Sequence, residues 1–330
     1  MIHSPTDDLS RPKRSVIGRG RRLTTRAWPI LGCLAVAAAC GNGSGEAPPD
    51  EPGPATAERA AGASIPGALY HTELTFVGRG NPPAMLHMRF DNETDSVQLR
   101  MRYRGWFAGD QWRPVLEHRD SLPIPRAAWR VLPTGPLRIV VGESGEPASV
   151  ILELEGGSLR LDSWGAIGSW NSSTGQRESL RLAELREGSG GGESGVMLSR
   201  QRARRIDQPG SEEVAQYFLV SDTAGNAVLL MRDSTAPDAP VTAWTWYDGV
   251  EAQWGDALIL TLASTAEAPG RWSVELGEAG VLGELRGGEP YWNELTNDGS
   301  GFEVFRVEGR LVVAGQPWTV TGVGVQERGP

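Results

Sequence analysis

Lysine is nearly absent from this chain. Of 330 residues only Lys13 is one, so every basic group in the body of the protein is an arginine. Cysteine is almost as scarce: there are two, Cys33 and Cys40. A chain that starts at Cys40 keeps one thiol, which excludes an internal disulfide and leaves the body to be held by its core. Past the N-terminal region histidine is limited to His71, His87 and His118. HExxH, a histidine–cysteine zinc set, GxSxG, a P-loop and a dinucleotide fingerprint are all missing. Metal ligation needs several donors at fixed spacing, so neither a metal site nor a cofactor is expected. No segment carries a long amphipathic helix period either, which argues against an α/β architecture.

What is present first is a leader. Arg11, Lys13, Arg14, Arg19, Arg21, Arg22 and Arg26 precede an apolar run from Ala27 to Ala39, and "AAAC" brings the chain to Cys40. A positive n-region, a short h-region and small residues form the order of a secretory signal peptide. A membrane span needs roughly 20 apolar residues, and this run is shorter. The arrangement around Cys40 resembles a bacterial lipoprotein signal, in which the cysteine is acylated with palmitate-type chains and becomes the first residue. An ordinary signal peptide or a buried segment is the alternative. The expectation is a signal peptide over 1–39 and a cell-envelope protein anchored in a lipid bilayer through Cys40, facing the periplasm or the exterior. Residues 40–66 hold almost no large apolar side chain and read as a flexible tether.

Charge divides at the same point. The leader holds seven of the 32 Lys+Arg and two of the 41 Asp+Glu, leaving 25 basic and 39 acidic residues and a formal net of about -14 downstream. Nucleic-acid binding depends on basic patches that neutralise phosphates, so no nucleic-acid partner is expected. Oligomeric state is not readable from the sequence.

From Leu69 onward the pattern has period two. "LYHTELTFVG" puts Tyr70, Thr72, Leu74 and Phe76 on one face and His71, Glu73 and Thr75 on the other. In "VQLRMRYRGW", Val97, Leu99, Met101 and Tyr103 point inward; Gln98, Arg100, Arg102 and Arg104 point outward, with Arg89 a companion on the next strand. Similar short strands continue to the end, punctuated by glycine and proline. The fold class is therefore all-β, as two tandem antiparallel β-barrel or sandwich domains. The boundaries are 67–205 and 206–330, with a single extended sheet structure and a long hairpin tip at 187–195 as the competing arrangement.

Chemistry-bearing residues are few. His71, His87 and Glu73 share a face of neighbouring strands, a weak acid–base or ligand group, and the simpler reading is surface histidines. "DNETDS" reads as a hairpin turn rather than a calcium loop. Tryptophan is the fuller signal, with 11 beyond the anchor. Its area and single donor suit a core layer or an apolar cavity. Trp244 and Trp246 share a strand face, Trp254 follows shortly after, and the three form one candidate wall.

The second half resembles the CrtC/AttH-like, lipocalin-like family, which includes carotenoid hydratases. The matching pieces are "QYFLVSDTAGNAVLLMRD" with Gly225 at its turn, then Ser264, Pro269 and Trp272. Tyr291, Trp292, Asn293, Glu294 and Gly315 follow, and last Gly322, Gly324, Glu327 and Gly329, with Val325 where the family has tyrosine. The family's opening EWWY motif has no counterpart here, so the resemblance concerns fold more than activity. It implies two tandem lipocalin-like domains and offers Tyr291, Trp292, Glu294 and Glu327 as cavity or interface residues, none of them catalytic.

Three functions stay open. The first is non-catalytic binding of an apolar or amphipathic small molecule against Trp244, Trp246, Trp254, Trp272 and Trp292, with Arg100 and Arg102 meeting any acidic group. The second is hydration or cyclisation of an isoprenoid-like substrate, which requires a buried, unpaired carboxylic acid such as Glu294 or Glu327. The third is a structural or protein-binding envelope component.

Overall fold

In the computed structural model the described residues are 68–95, 98–109, 111–123, 131–142, 146–171, 177–205, 216–232, 241–247, 250–258, 270–276, 280–295 and 301–328. The leader, Cys40, the tether, Val97 and Trp129 lie outside them. The fold is all-β: two curled antiparallel sheets form tandem, lipocalin-like half-barrels. Among the described residues no helix is long and apolar enough to cross a membrane.

The first sheet runs from β1 (Ala68–Gly78) through β2 (Met85–Thr94), β3 (Gln98–Ala108), β4 (Trp112–Pro123), β5 (Val131–Thr134), β6 (Leu137–Val141), β7 (Pro147–Leu154), β8 (Gly157–Asn171) and β9 (Arg177–Glu187) to β10 (Gly192–Arg205). Its spatial order is β4-β3-β2-β1-β10-β9-β8-β7-β6-β5. The second comprises β11 (Gln216–Ser221), β12 (Ala227–Arg232), β13 (Val241–Tyr247), β14 (Val250–Leu258), β15 (Arg271–Leu276), β16 (Val281–Leu295), β17 (Gly301–Val313) and β18 (Gln316–Arg328), in the order β14-β13-β12-β11-β18-β17-β16-β15. Both follow one rule. Consecutive strands pair as hairpins except β4 with β5 and β14 with β15, which form the two edges of their sheets, and the first strand of each sheet pairs with its last, β1 with β10 and β11 with β18. That pairing curls each meander toward a barrel.

Period two decides what each half-barrel encloses. Leu74 and Phe76 of β1, Leu86, Met88 and Phe90 of β2, and Leu99, Met101 and Tyr103 of β3 fill the first interior. Phe218 and Val220 of β11, Val228 and Leu230 of β12, and Phe305 and Val307 of β17 fill the second. The hairpin between β11 and β12 turns at Gly225, whose φ of 88° is a left-handed conformation that glycine adopts without strain. Asp222 closes that turn by accepting the backbone N–H groups of Ala224 and Asn226. At Gly324 of β18 the constraint is space rather than conformation, since a Cβ there would run into the Phe305 ring.

A third cluster lies between the sheets. Val77, Met85, Val196 and Leu198 of the first sheet pack against Tyr217, Leu219, Leu229, Val304 and Val323 of the second. β11 and β12 are thus buried on both faces, which is why "YFLV" and "AVLLM" read as continuous apolar runs rather than alternations. The Ser221 hydroxyl donates to the Gly78 carbonyl across the gap at 2.6 Å. On the far side of the layer Trp244 stacks on Trp170 with ring centroids 5.1 Å apart, over the bare backbone of Gly168. A side chain at 168 collides with the Trp244 ring. Gly168→Val is therefore expected to destabilise the protein by about 1–3 kcal/mol, as overpacking does. A lower urea midpoint at unchanged slope checks this, and an unshifted midpoint would show that the two sheets do not depend on that close approach.

Candidate functional site

The face of the first sheet that looks solvated in sequence is the one the second sheet covers. His71, Glu73 and Thr75 of β1, His87, Arg89 and Asp91 of β2, and Arg102, Arg104 and Trp106 of β3 project there, in register across the three strands. His87 is fully buried and His71 largely so, which corrects the reading of both as surface histidines. Alternation shows which residues share a face. It does not show whether another sheet will cover that face.

At the centre is Glu73, with 1% exposure. Its carboxylate accepts the Tyr217 hydroxyl of the second sheet at 2.5 Å and the Arg200 guanidinium of β10 at 3.1 Å. Arg200 also donates to Glu178 at 3.0 Å, and Glu178 accepts the Trp170 indole N–H at 2.6 Å. Burial alone would raise the Glu73 carboxyl, but the Arg200 guanidinium, helped by the Tyr217 hydrogen bond, outweighs it and holds Glu73 ionised. Thr75 Oγ1 lies 2.8 Å from the Tyr217 oxygen and 3.0 Å from His87 Nδ1.

Counting protons assigns this chain. An ionised carboxylate only accepts, so Tyr217 gives its single proton to Glu73. The Thr75 proton then goes to the Tyr217 oxygen, and Thr75 accepts from His87 Nδ1–H. His87 is neutral. Burial lowers its pKa to about 4; the Glu73 charge opposes that shift, and Arg89, His71 and Arg104 add to it. The proton on Nδ1 leaves Nε2 with a lone pair. It is 3.8 Å from Glu73 and has no hydrogen-bond partner among the described residues.

Aromatic rings surround that nitrogen. His87 sits 6.2 Å from Trp106, 5.9 Å from Trp292 and 6.0 Å from Phe302, centroid to centroid. Trp106 stacks on Trp292 at 4.1 Å, and Trp112 stacks on Tyr291 at 3.8 Å. The Tyr291 hydroxyl and the Trp112 indole N–H are buried and, like His87 Nε2, have no partner among the described residues. Burial, and then the nearby Glu73 charge, hold the Tyr291 phenol well above its ordinary pKa.

Beside the aromatic run lies a charged group. Glu294 of β16 accepts from Arg102 at 3.0 Å and from Arg104, which also reaches Asp91 at 3.1 Å. The Arg104 guanidinium lies 4.3 Å from the Trp292 ring centre and that of Arg89 4.7 Å from Phe302. Burial would raise Asp91 and Glu294, but Asp91 bonds to His71 and lies in the field of Arg89 and Arg104. Glu294 is held by Arg104, Arg102 and Arg89, and both carboxyls end below the usual range.

The residues expected to form a site divide. Tyr291, Trp292, Glu294 and Arg102 come together at the layer; Trp244 and Trp246 also face it, on the β13 side. Trp272 does not join them. It packs inside the second half-barrel, stacked on Phe305 at 5.3 Å. Arg100 is exposed and pairs with Glu93 and Asp95. Trp254 lies opposite Trp244 in the β13–β14 register, and its side chain, like that of Glu327, is outside the described residues. Sequence reasoning missed Tyr217, Thr75, Arg200, Glu178, Trp106 and Trp112 as site members. Trp106 and Trp112 belonged to the tryptophan set, and for Thr75 and Arg200 the legible signal was a polar residue on the face opposite the apolar stripe of β1 and β10.

Among the described residues no group of three or more His, Cys, Asp or Glu is placed to hold a metal ion. No known family model matches the chain, and no curated protein sequence matches it. Solved structures do. A protein assigned as an AttH from Nitrosomonas europaea aligns over 78% of this chain and 91% of its own, with 10% identity and a TM-score of 0.45. Kievitone hydratase from Nectria haematococca aligns over 80% and 89%, with 11% identity and a TM-score of 0.46. Neither neighbour assigns a role to any residue here.

The geometry yields a pH prediction. The His87 pKa of the unfolded chain is near 6.5 and that of the folded protein about 4, so between these values only the unfolded chain binds the proton. Stability must then fall as pH drops below about 6.5, by about 2 kcal/mol between pH 7 and pH 5. The depressed carboxylates contribute no loss in that window, since their stabilisation declines only below the unfolded carboxylate range. Urea midpoints at both pH values test this. His87→Gln is expected to flatten the dependence, and an equal slope in both proteins would mean that His87 is not the titrating group.

Proposed function

We propose that this protein is a membrane-tethered lipoprotein of the cell envelope that holds an apolar or amphipathic small molecule against the aromatic run between its sheets, without transforming it. One observation carries the reading. Three buried polar atoms, His87 Nε2, Tyr291 Oη and Trp112 Nε1, lack partners among the described residues, and all three adjoin stacked aromatic rings. Leaving a buried polar atom unpaired costs about 1–3 kcal/mol, and native proteins do so rarely without cause. An aromatic wall with a few convergent polar groups is the usual make-up of a small-molecule site. The non-catalytic part is supported by the carboxylates: Glu73 and Glu294 are paired with arginines and ionised. Neither is the buried protonated acid that hydration or cyclisation of an isoprenoid requires. The tether is supported by the leader and by "AAAC" before Cys40.

The test is native mass spectrometry of the full chain taken from its own envelope in mild detergent. The expected result is a bound mass of roughly a few hundred daltons, released on denaturation and reduced in Trp106→Ala. A bare mass from the native source overturns the binding reading. Cys40→Ser is expected to move the protein out of the membrane fraction, and its continued sedimentation with membranes would overturn the anchor.

A further inference from the structure

Resting on the binding reading, we infer that the polar group this site recognises is an uncharged hydroxyl on a flat apolar body, and not an acid. The argument is a match of donors to acceptors. Proton counting through Glu73, Tyr217, Thr75 and His87 leaves His87 Nε2 as an acceptor. The Tyr291 hydroxyl and the Trp112 indole N–H are donors, and none of the three has a partner among the described residues. A hydroxyl has one proton to give and two lone pairs to fill, which is the complement of that set. A carboxylate or a carbonyl only accepts, and would leave the buried Nε2 lone pair unmet.

Charge points the same way. Glu73 Oε1 is 3.8 Å from His87 Nε2, so an anion seated there would face an ionised carboxylate in a buried layer. Each guanidinium charge of the layer is already paired with a carboxylate, Arg89 with Asp91 included, while the Nε–H groups of Arg102 and Arg104 have no partner among the described residues. Arg200 bridges Glu73 and Glu178, Arg104 bridges Glu294 and Asp91, and Arg102 binds Glu294. Arg100 is on the solvent side with Glu93 and Asp95. The ligand body is set by the rings: Trp106 on Trp292, and Trp112 on Tyr291, are near-parallel stacks with interplanar angles of 21° and 15°. Stacks of this kind suit a flat, conjugated or aromatic partner.

Three matched probes test the inference on the full chain: naphthalene, 2-naphthol and 2-naphthoate, by titration calorimetry at pH 7.5. The naphthol is expected to bind at least about tenfold more tightly than naphthalene, and the naphthoate most weakly. Tyr291→Phe, which keeps the ring, is expected to shrink the naphthol-to-naphthalene ratio about tenfold, with naphthalene binding serving as the folding control. Naphthoate binding tightest, or naphthol and naphthalene binding alike, overturns the hydroxyl inference and leaves the binding reading standing. No binding by any of the three overturns both.

Discussion

The Glu73 carboxylate organises the layer between the sheets. A buried charge is costly unless it is paired and fully hydrogen-bonded. Glu73 meets that condition only when β10 supplies Arg200 and the second sheet supplies Tyr217. Arg200 in turn requires Glu178 on β9, and Glu178 takes the Trp170 indole N–H. One carboxylate therefore couples β1, β8, β9 and β10 to β11. Apolar packing between the sheets is non-directional and would tolerate sliding, whereas these bonds have one register. The net stabilisation from such a buried network is small, and its larger effect is to define which faces meet.

Strands and faces were legible because period two is a local property. Leu99, Met101 and Tyr103 against Arg100, Arg102 and Arg104 is an alternation that can be read without knowing the fold. Burial of the polar set was not legible, since a face awaiting another sheet and a face awaiting water carry the same pattern. The apolar runs of β11 and β12 held the missing information. A strand buried on both sides must have something packed on each. Joining that requirement to the polar face of β1 takes long-range topology, which no window of sequence contains.

The tryptophans show the same limit at finer scale. Trp272 and Trp292 both lie on strands of the second sheet, yet one is inside the second half-barrel and the other in the inter-sheet layer. Between Gly287 and Trp292 the β16–β17 register shifts twice, around Pro290. Each shift changes which face the following residues take. Counting by twos through "GGEPYWNE" cannot recover that, whereas Trp244 and Trp246 lie on a stretch whose pairing with β12 is regular and share the face their spacing implies.

Ionisation limits what this layer can do. A carboxyl that protonates an unactivated carbon must stay neutral near pH 7, which requires burial without a cationic partner. Here each described carboxylate of the layer has one: Glu73 and Glu178 share Arg200, Glu294 has Arg102 and Arg104, and Asp91 has Arg104. The arginine that makes burial of each carboxylate tolerable also removes its acidity. The neutral groups left, the imidazole of His87 and the phenol of Tyr291, exchange hydrogen bonds readily, but near neutral pH neither is a strong acid. On the proposed reading, such a site orients a hydroxyl and holds a flat body against tryptophan.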